Sequence, residues 1–235
     1  MNMQNKKPGI FFGCFSPAVM IATFAIEIIF AVYTFAKHRD KFWGKIIILI
    51  LIALAIFQLA EYQVCGDVDQ LMWARVGYIA ITLLPPLGIT LSHIIAKKSL
   101  NTLLHKLSWV LALILIFIFG FMPVQQIAPV CGGNYVIFKY KYLLINGFLY
   151  GAYYFGLLFA NVFINYKWAK SANKLTKRLL YAFIIGYTAF IVPTLVVNLA
   201  DPATIYGIPS IMCGFAVSWA LVLTLYIRPN IAKRK

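Results

Sequence analysis

The chain has 235 residues, of which 63% are hydrophobic and only 11% charged, and its mean hydropathy is +0.86. Soluble domains carry about 25% charged residues, so this composition cannot clothe a water-facing surface and excludes an ordinary soluble domain. The formal net charge of +15 does not point to nucleic acid, because the basic residues sit in short clusters between apolar runs and form no patch interleaved with exposed aromatics.

A helical span needs about 20 apolar residues. Seven apolar runs fill the length and leave no room for a soluble domain. The expected fold is therefore all-α: a polytopic membrane protein, one seven-transmembrane helix bundle over residues 1–235. The first run, Ile10–Ala36, is too long for a signal-peptide core and lacks a small-residue cleavage site, so it reads as a retained helix. Glu27 lies deep within it. A charge at that depth costs a few kcal/mol on insertion scales, so Glu27 is either protonated or paired, and it is the candidate ligand or proton site. The second run, Ile46–Ala60, brings Gln58 to a similar depth at about 1.5 Å per residue, and Glu61 follows at its outer end.

The third run, Leu71–Ala96, opens with Arg75, which is placed to meet Glu61 as an outer rim. Asp67 and Asp69 precede it, too few ligands for a cation site. At mid-run Pro85 and Pro86 interrupt the helix. Pro86 removes the hydrogen bond to the carbonyl of Thr82 and creates a candidate hinge. The fourth run, Leu107–Met122, is short like the second, and both are expected to extend into their flanks. The fifth, Tyr142–Asn165, carries Gly147, Gly151, Ala152 and Gly156, a small-residue surface expected to pack inside the bundle. It also carries Tyr150, Tyr153, Tyr154 and Phe155, which either line an apolar pocket or fill the core. The sixth, Leu179–Leu199, has a second candidate hinge at Pro193, and the seventh, Gly207–Ile227, holds Ser218 at the depth of Glu27.

Lysine and arginine set orientation. Of 21, all but five fall in four connections on one side: Lys37 to Lys45, Lys97 to Lys106, Lys167 to Arg178, and Arg228 to Lys235. The exceptions are Lys6, Lys7, Arg75, Lys139 and Lys141. The basic side is the cytoplasmic one, with the N-terminus outside. Of the 4 cysteines, Cys65 and Cys131 fall in outer connections, where a disulfide between them would tie the long loop over the helix ends; two free thiols are the alternative. Cys14 and Cys213 are expected as buried small apolar residues near the outer ends of the first and seventh helices. His38, His93 and His105 have no spacing that gives a zinc its three convergent ligands, and the seventh run has no lysine for a retinal Schiff base. No metal, cofactor or catalytic residue is assigned. No three-helix block recurs and no Pro-Gln dipeptide occurs, unlike the small seven-helix sugar transporters.

The stretch Trp73-Ala74-Arg75-Val76-Gly77-Tyr78, continuing through Leu83-Leu84-Pro85-Pro86-Leu87, resembles the third helix of the seven-transmembrane sensor module at the N-terminus of some bacterial histidine kinases. That module has a similar aromatic-x-Arg start and an apolar run into a helix-centre proline. The resemblance implies a receptor-like module in a bacterial inner membrane. It would bind a small or lipidic ligand in the outer half of the bundle, with helix movement about Pro85, Pro86 and Pro193. The family's modules feed a kinase or cyclase domain, whereas this sequence ends at Lys235, so a separate cytoplasmic signalling protein is the expected partner. Three alternatives stay open: a small proton-coupled transporter using Glu27, an intramembrane lipid-modifying enzyme using His93 or Glu27, and an assembly subunit without a ligand.

Overall fold

Hydrocarbon offers no partner to a backbone amide, so long apolar runs satisfy their own N–H and C=O groups as helices. The computed structural model describes residues 17–66, 69–121, 127–131, 136–140, 148–200 and 208–233. The helices are α1 (Pro17–His38), α2 (Phe42–Cys65), α3 (Gln70–Ala96), α4 (Leu103–Phe121), α5 (Phe148–Ser171), α6 (Lys174–Ala200) and α7 (Ile208–Leu221). The last runs on through a π-helical turn, Val222–Ile227, into α8 (Arg228–Ala232). Six of these helical runs are long and apolar enough to cross a membrane, which makes the chain a multi-pass membrane protein. α5 falls short because tyrosine, asparagine and lysine dilute its apolar content.

The helices close a ring. α1 packs on α2 and α7, α6 on α5 and α7, and α4 bridges α3 and α5. α3 stands inside and touches α2, α4, α5 and α6. Within its apolar window 72% of residues are buried, against 28% for α1 and 17% for α4, so α3 is the axis and α4 presents most of its surface to lipid. Side chains anchor the helix ends: Asp69 Oδ1 accepts from the Met72 amide (3.2 Å), Thr102 Oγ1 from that of His105 (3.3 Å) and Asn173 Oδ1 from that of Thr176 (2.9 Å). These oxygens satisfy first-turn donors that have no intrahelical partner. Asp69 is thus a helix cap; Asp67 lies outside the described residues.

As expected of short runs, α2 and α4 extend into their flanks: both begin earlier than the apolar runs, and α2 also ends later. Elsewhere the described elements depart from the sequence reading. Between α4 and α5 lies an antiparallel hairpin of β1 (Ile127–Cys131) and β2 (Val136–Tyr140), with Ile127 opposite Tyr140 and Cys131 opposite Val136. A five-residue strand inside a loop is too short to betray itself by alternation. β1 packs against α2 and α3 at the end of the bundle where α2 finishes. The described part of α5 begins at Phe148 and runs to Ser171, past the expected end at Asn165. The π turn, which alternation of apolar residues does not signal, ends at Ile227, two residues before Pro229. That residue can donate no amide proton, and the Asn230 side chain bonds back to the Tyr226 carbonyl (2.8 Å).

A further departure concerns glycine. The surface expected to pack inside the bundle does not: a Cβ at Gly151 or Gly156 would meet nothing within 4 Å, while Tyr150, Tyr153 and Tyr154 on the opposite side of α5 are buried. The tyrosines outweigh a row of small residues in choosing the inward face because lipid offers their hydroxyls no partner, whereas Tyr153 and Tyr150 find one at Thr82 of α3. Gly147 lies outside the described residues. Close approach occurs instead at Gly77, where a Cβ would lie 3.3 Å from Ala60, at Gly88 against the Tyr187 hydroxyl, and at Gly186 against the Trp219 ring. Gly88→Ala and Gly186→Ala should therefore each destabilise the detergent-solubilised protein by about 1–3 kcal/mol, read as a lowered melting temperature. Gly156→Ala should leave it unchanged or raise it.

Candidate functional site

Polar side chains inside the bundle fall into two sets. The first ties α3 to α4, α5 and α6. Pro86 has no N–H for the Thr82 carbonyl, and the Tyr153 hydroxyl donates to that oxygen instead (2.6 Å). Thr82 gives its own proton to the Tyr78 carbonyl (2.6 Å), so the 3.2 Å contact with Tyr150 has the Tyr150 hydroxyl as donor. Further in, Asn165 Nδ2 donates to Ser92 (2.8 Å) and to Asn161 (2.8 Å to its carbonyl), and Asn161 Nδ2 donates to the Tyr187 hydroxyl (3.2 Å). Asn161, Asn165 and Ser92 are all 0% exposed. This ladder escaped the sequence reading, although two asparagines four apart in a membrane helix put two amides on one face.

At the inner end, His93 Nδ1 lies 2.8 Å from the Ile89 carbonyl. A carbonyl only accepts, so Nδ1 carries the proton. In the neutral ring, Nε2 then accepts from the Thr102 hydroxyl at 3.0 Å. The Thr90 hydroxyl donates to the Pro86 carbonyl (2.8 Å) and receives protons from His105 Nε2 (3.0 Å) and Trp109 Nε1 (3.2 Å). His93 also stands edge-on to Trp168 at 4.8 Å. Both its nitrogens are spent on structure, which leaves none for a substrate in this arrangement.

The second set lies between α1, α2 and α7, and it is not satisfied. Glu27 is 0% exposed and neither carboxyl oxygen has a hydrogen-bond partner. Gln58 is buried too, with its Nε2 unpartnered, so the bond between them that the depth count allowed is not made. Thr34 and Thr224, both 0% exposed, also have hydroxyls without partners. Ser218 turns its hydroxyl to the Phe215 carbonyl of its own helix (2.7 Å) and contributes nothing to Glu27. Glu61 is buried near the end of α2 and Arg75 half-buried in the first turns of α3; neither is free. Glu27, Glu61 and the Cys213 thiol are within electrostatic range of one another.

Cys213 is buried and free, and Cys65 is disulfide-bonded. Cys131 closes β1, the strand packed on α2 and α3; its side chain lies outside the described ones, as does Cys14. Pro85, Pro86 and Pro193 lie inside unbroken α3 and α6. The Tyr78 and Phe119 rings stack and Tyr150 stands edge-on to both, with centroids 4.5–5.8 Å apart. The cavity beside Tyr154, Tyr187, Cys213 and Trp219 is about 20 Å³, room for a single water. A larger apolar groove of about 320 Å³ opens between α2, α3 and α4, lined by Leu49, Ile56, Ala80, Leu83, Leu87 and Trp109 among others. Among the described residues no group of three His, Cys, Asp or Glu side chains could hold a metal. No protein-family model and no curated protein matches the chain.

Because the Glu27 carboxyl makes no hydrogen bond, Glu27→Gln breaks none and should not lower the melting temperature of the purified protein, so any activity it abolishes depends on the carboxyl itself. In a non-reduced digest of membranes, peptides carrying Cys65 and Cys131 should appear crosslinked and separate on reduction. Linkage of Cys65 to Cys14 would refute that pairing.

Proposed function

We propose that the chain is a receptor-like sensory module with seven spans, α5 being the seventh, its N-terminus outside and its C-terminus in the cytoplasm of a bacterium, held in the inner membrane. The basic clusters around Lys37–Lys45, Lys97–Lys106 and Lys167–Arg178 lie at one end of the helices and the hairpin at the other, which supports this orientation. The observation that carries the reading is the groove of about 320 Å³ against Leu83 and Leu87, on either side of Pro85 and Pro86 in the axial helix. Its volume is within the usual range for ligand sites and its lining is apolar, which suits a lipidic ligand. The groove lies at mid-depth, so this reading seats the ligand there rather than in the outer half.

A ligand seated there bears on α3 where the proline has already removed a backbone bond. α3 in turn carries His93 and Thr90 to the α4 junction, the surface that a separate cytoplasmic signalling protein would read. The resemblance of residues 73–87 to histidine-kinase sensor modules supports the same reading. A second reading, a small proton-coupled transporter, is favoured by the unpartnered Glu27 carboxyl, since a buried carboxyl without partners is a default functional site in a membrane.

The two separate in one preparation. A fluorescent fatty acid should bind the purified protein saturably and raise its melting temperature, and Ile56→Trp, which fills the groove from its open side, should weaken binding about tenfold. Solute uptake by proteoliposomes driven by a pH gradient and lost in Glu27→Gln would overturn the sensor reading in favour of transport.

A further inference from the structure

Arg228 follows the π turn and is 5% exposed, yet its Nε and Nη1 have no hydrogen-bond partner. Its guanidinium lies over the Tyr33 ring, 4.0 Å from the centroid. Lys37, one turn along α1, approaches the same ring at 4.7 Å and donates to the Tyr33 hydroxyl at 3.0 Å. Two cations therefore share one aromatic ring, and among the described residues no carboxylate pairs with either. An arginine that simply reached for water would expose its head and bury its stem; here the head is buried. A buried charge without a counter-charge is costly, and a guanidinium presents its N–H groups as a fork matched to phosphate oxygens.

We propose that Arg228, Tyr33 and Lys37 form a site for the phosphate of an anionic phospholipid, in the leaflet that the orientation above makes cytoplasmic. One phosphate oxygen accepts from the exposed Lys37 ammonium and others from the Nη1–Nη2 edge of Arg228 when that side chain turns outward from the Tyr33 ring, so that both positive charges face the lipid. The source is a lipid because the site opens beside exposed apolar side chains: Val32 (62% exposed) and Phe35 (50%) on α1, and Leu225 (62%) on the π turn. Acyl chains would cover these. The π turn is the device that makes the site, since its wider ring bonds the Arg228 amide to Leu223 and carries the guanidinium onto α1. The site is independent of the groove between α2, α3 and α4 and of either reading of Glu27.

The test is native mass spectrometry of the full chain released from nanodiscs of equal phosphatidylglycerol and phosphatidylcholine. Wild type should retain phosphatidylglycerol with a preference of about tenfold, and Arg228→Gln should lose it. Lys37→Gln, on an exposed position that folding does not depend on, should reduce the preference about fivefold and keeps the proposal testable if Arg228→Gln fails to fold. Equal retention of the two lipids by wild type, or an undiminished preference in Lys37→Gln, would overturn the proposal. Complete displacement of phosphatidylglycerol by millimolar inorganic phosphate would overturn the lipid as its source.

Discussion

The arrangement depends on one bond that a proline forbids. Pro86 sits in the middle of the helix that all the inner neighbours touch, and it leaves the Thr82 carbonyl without its backbone donor. Water would fill such a vacancy in a soluble protein, but hydrocarbon cannot. The Tyr153 hydroxyl fills it at 2.6 Å, which fixes the rotation of α5 about its own axis. That rotation turns Tyr150 and Tyr154 inward, aligns Asn161 and Asn165 with Ser92 and Tyr187, and leaves the glycine row facing outward.

The interior consequently has two characters. On the side of α3, α4, α5 and α6, most buried polar groups are paired, as at Thr82 and at Thr90, whose hydroxyl uses its one donor and both acceptor positions. Such bonds are individually modest in membranes, yet together they specify one packing. On the side of α1, α2 and α7, Glu27, Gln58, Thr34 and Thr224 lie buried with polar atoms unpaired. Unpaired buried groups call for water, an ion or a second arrangement. The rigid half provides a frame, and the under-satisfied half is where protonation or a shift of helices gains the most. A ligand in the groove on α2 and α3 touches both halves, because α2 belongs to one and α3 to the other.

The α1 stripe Met20, Thr23, Glu27, Ala31 and Thr34 is buried along its length, and Thr34 at its inner end follows directly on Tyr33, the ring clamped by Lys37 and Arg228. Anything bound at that inner end bears on the same helix as Glu27. A lipid phosphate there would set the resting position of α1 against α7, and with it the surroundings of the carboxyl.

Much of this was written in the chain. Apolar content and run length determined a bundle of membrane helices, since only helices and closed barrels satisfy a backbone in lipid and barrel strands are short and alternating. The prolines, the freed Thr82 carbonyl, the depth of Glu27 and the neighbourhood of the first and last helices also follow from local chemistry and ring closure. Only the tertiary structure decided who pairs with whom. Depth along a helix fixes one coordinate of a side chain, whereas a hydrogen bond also needs the helix's rotation. Gln58 and Ser218 share the depth of Glu27, yet neither bonds to it. Asn165 meets Ser92, and Arg228 reaches Tyr33, because packing of large rings and a π turn set rotations that no single segment encodes.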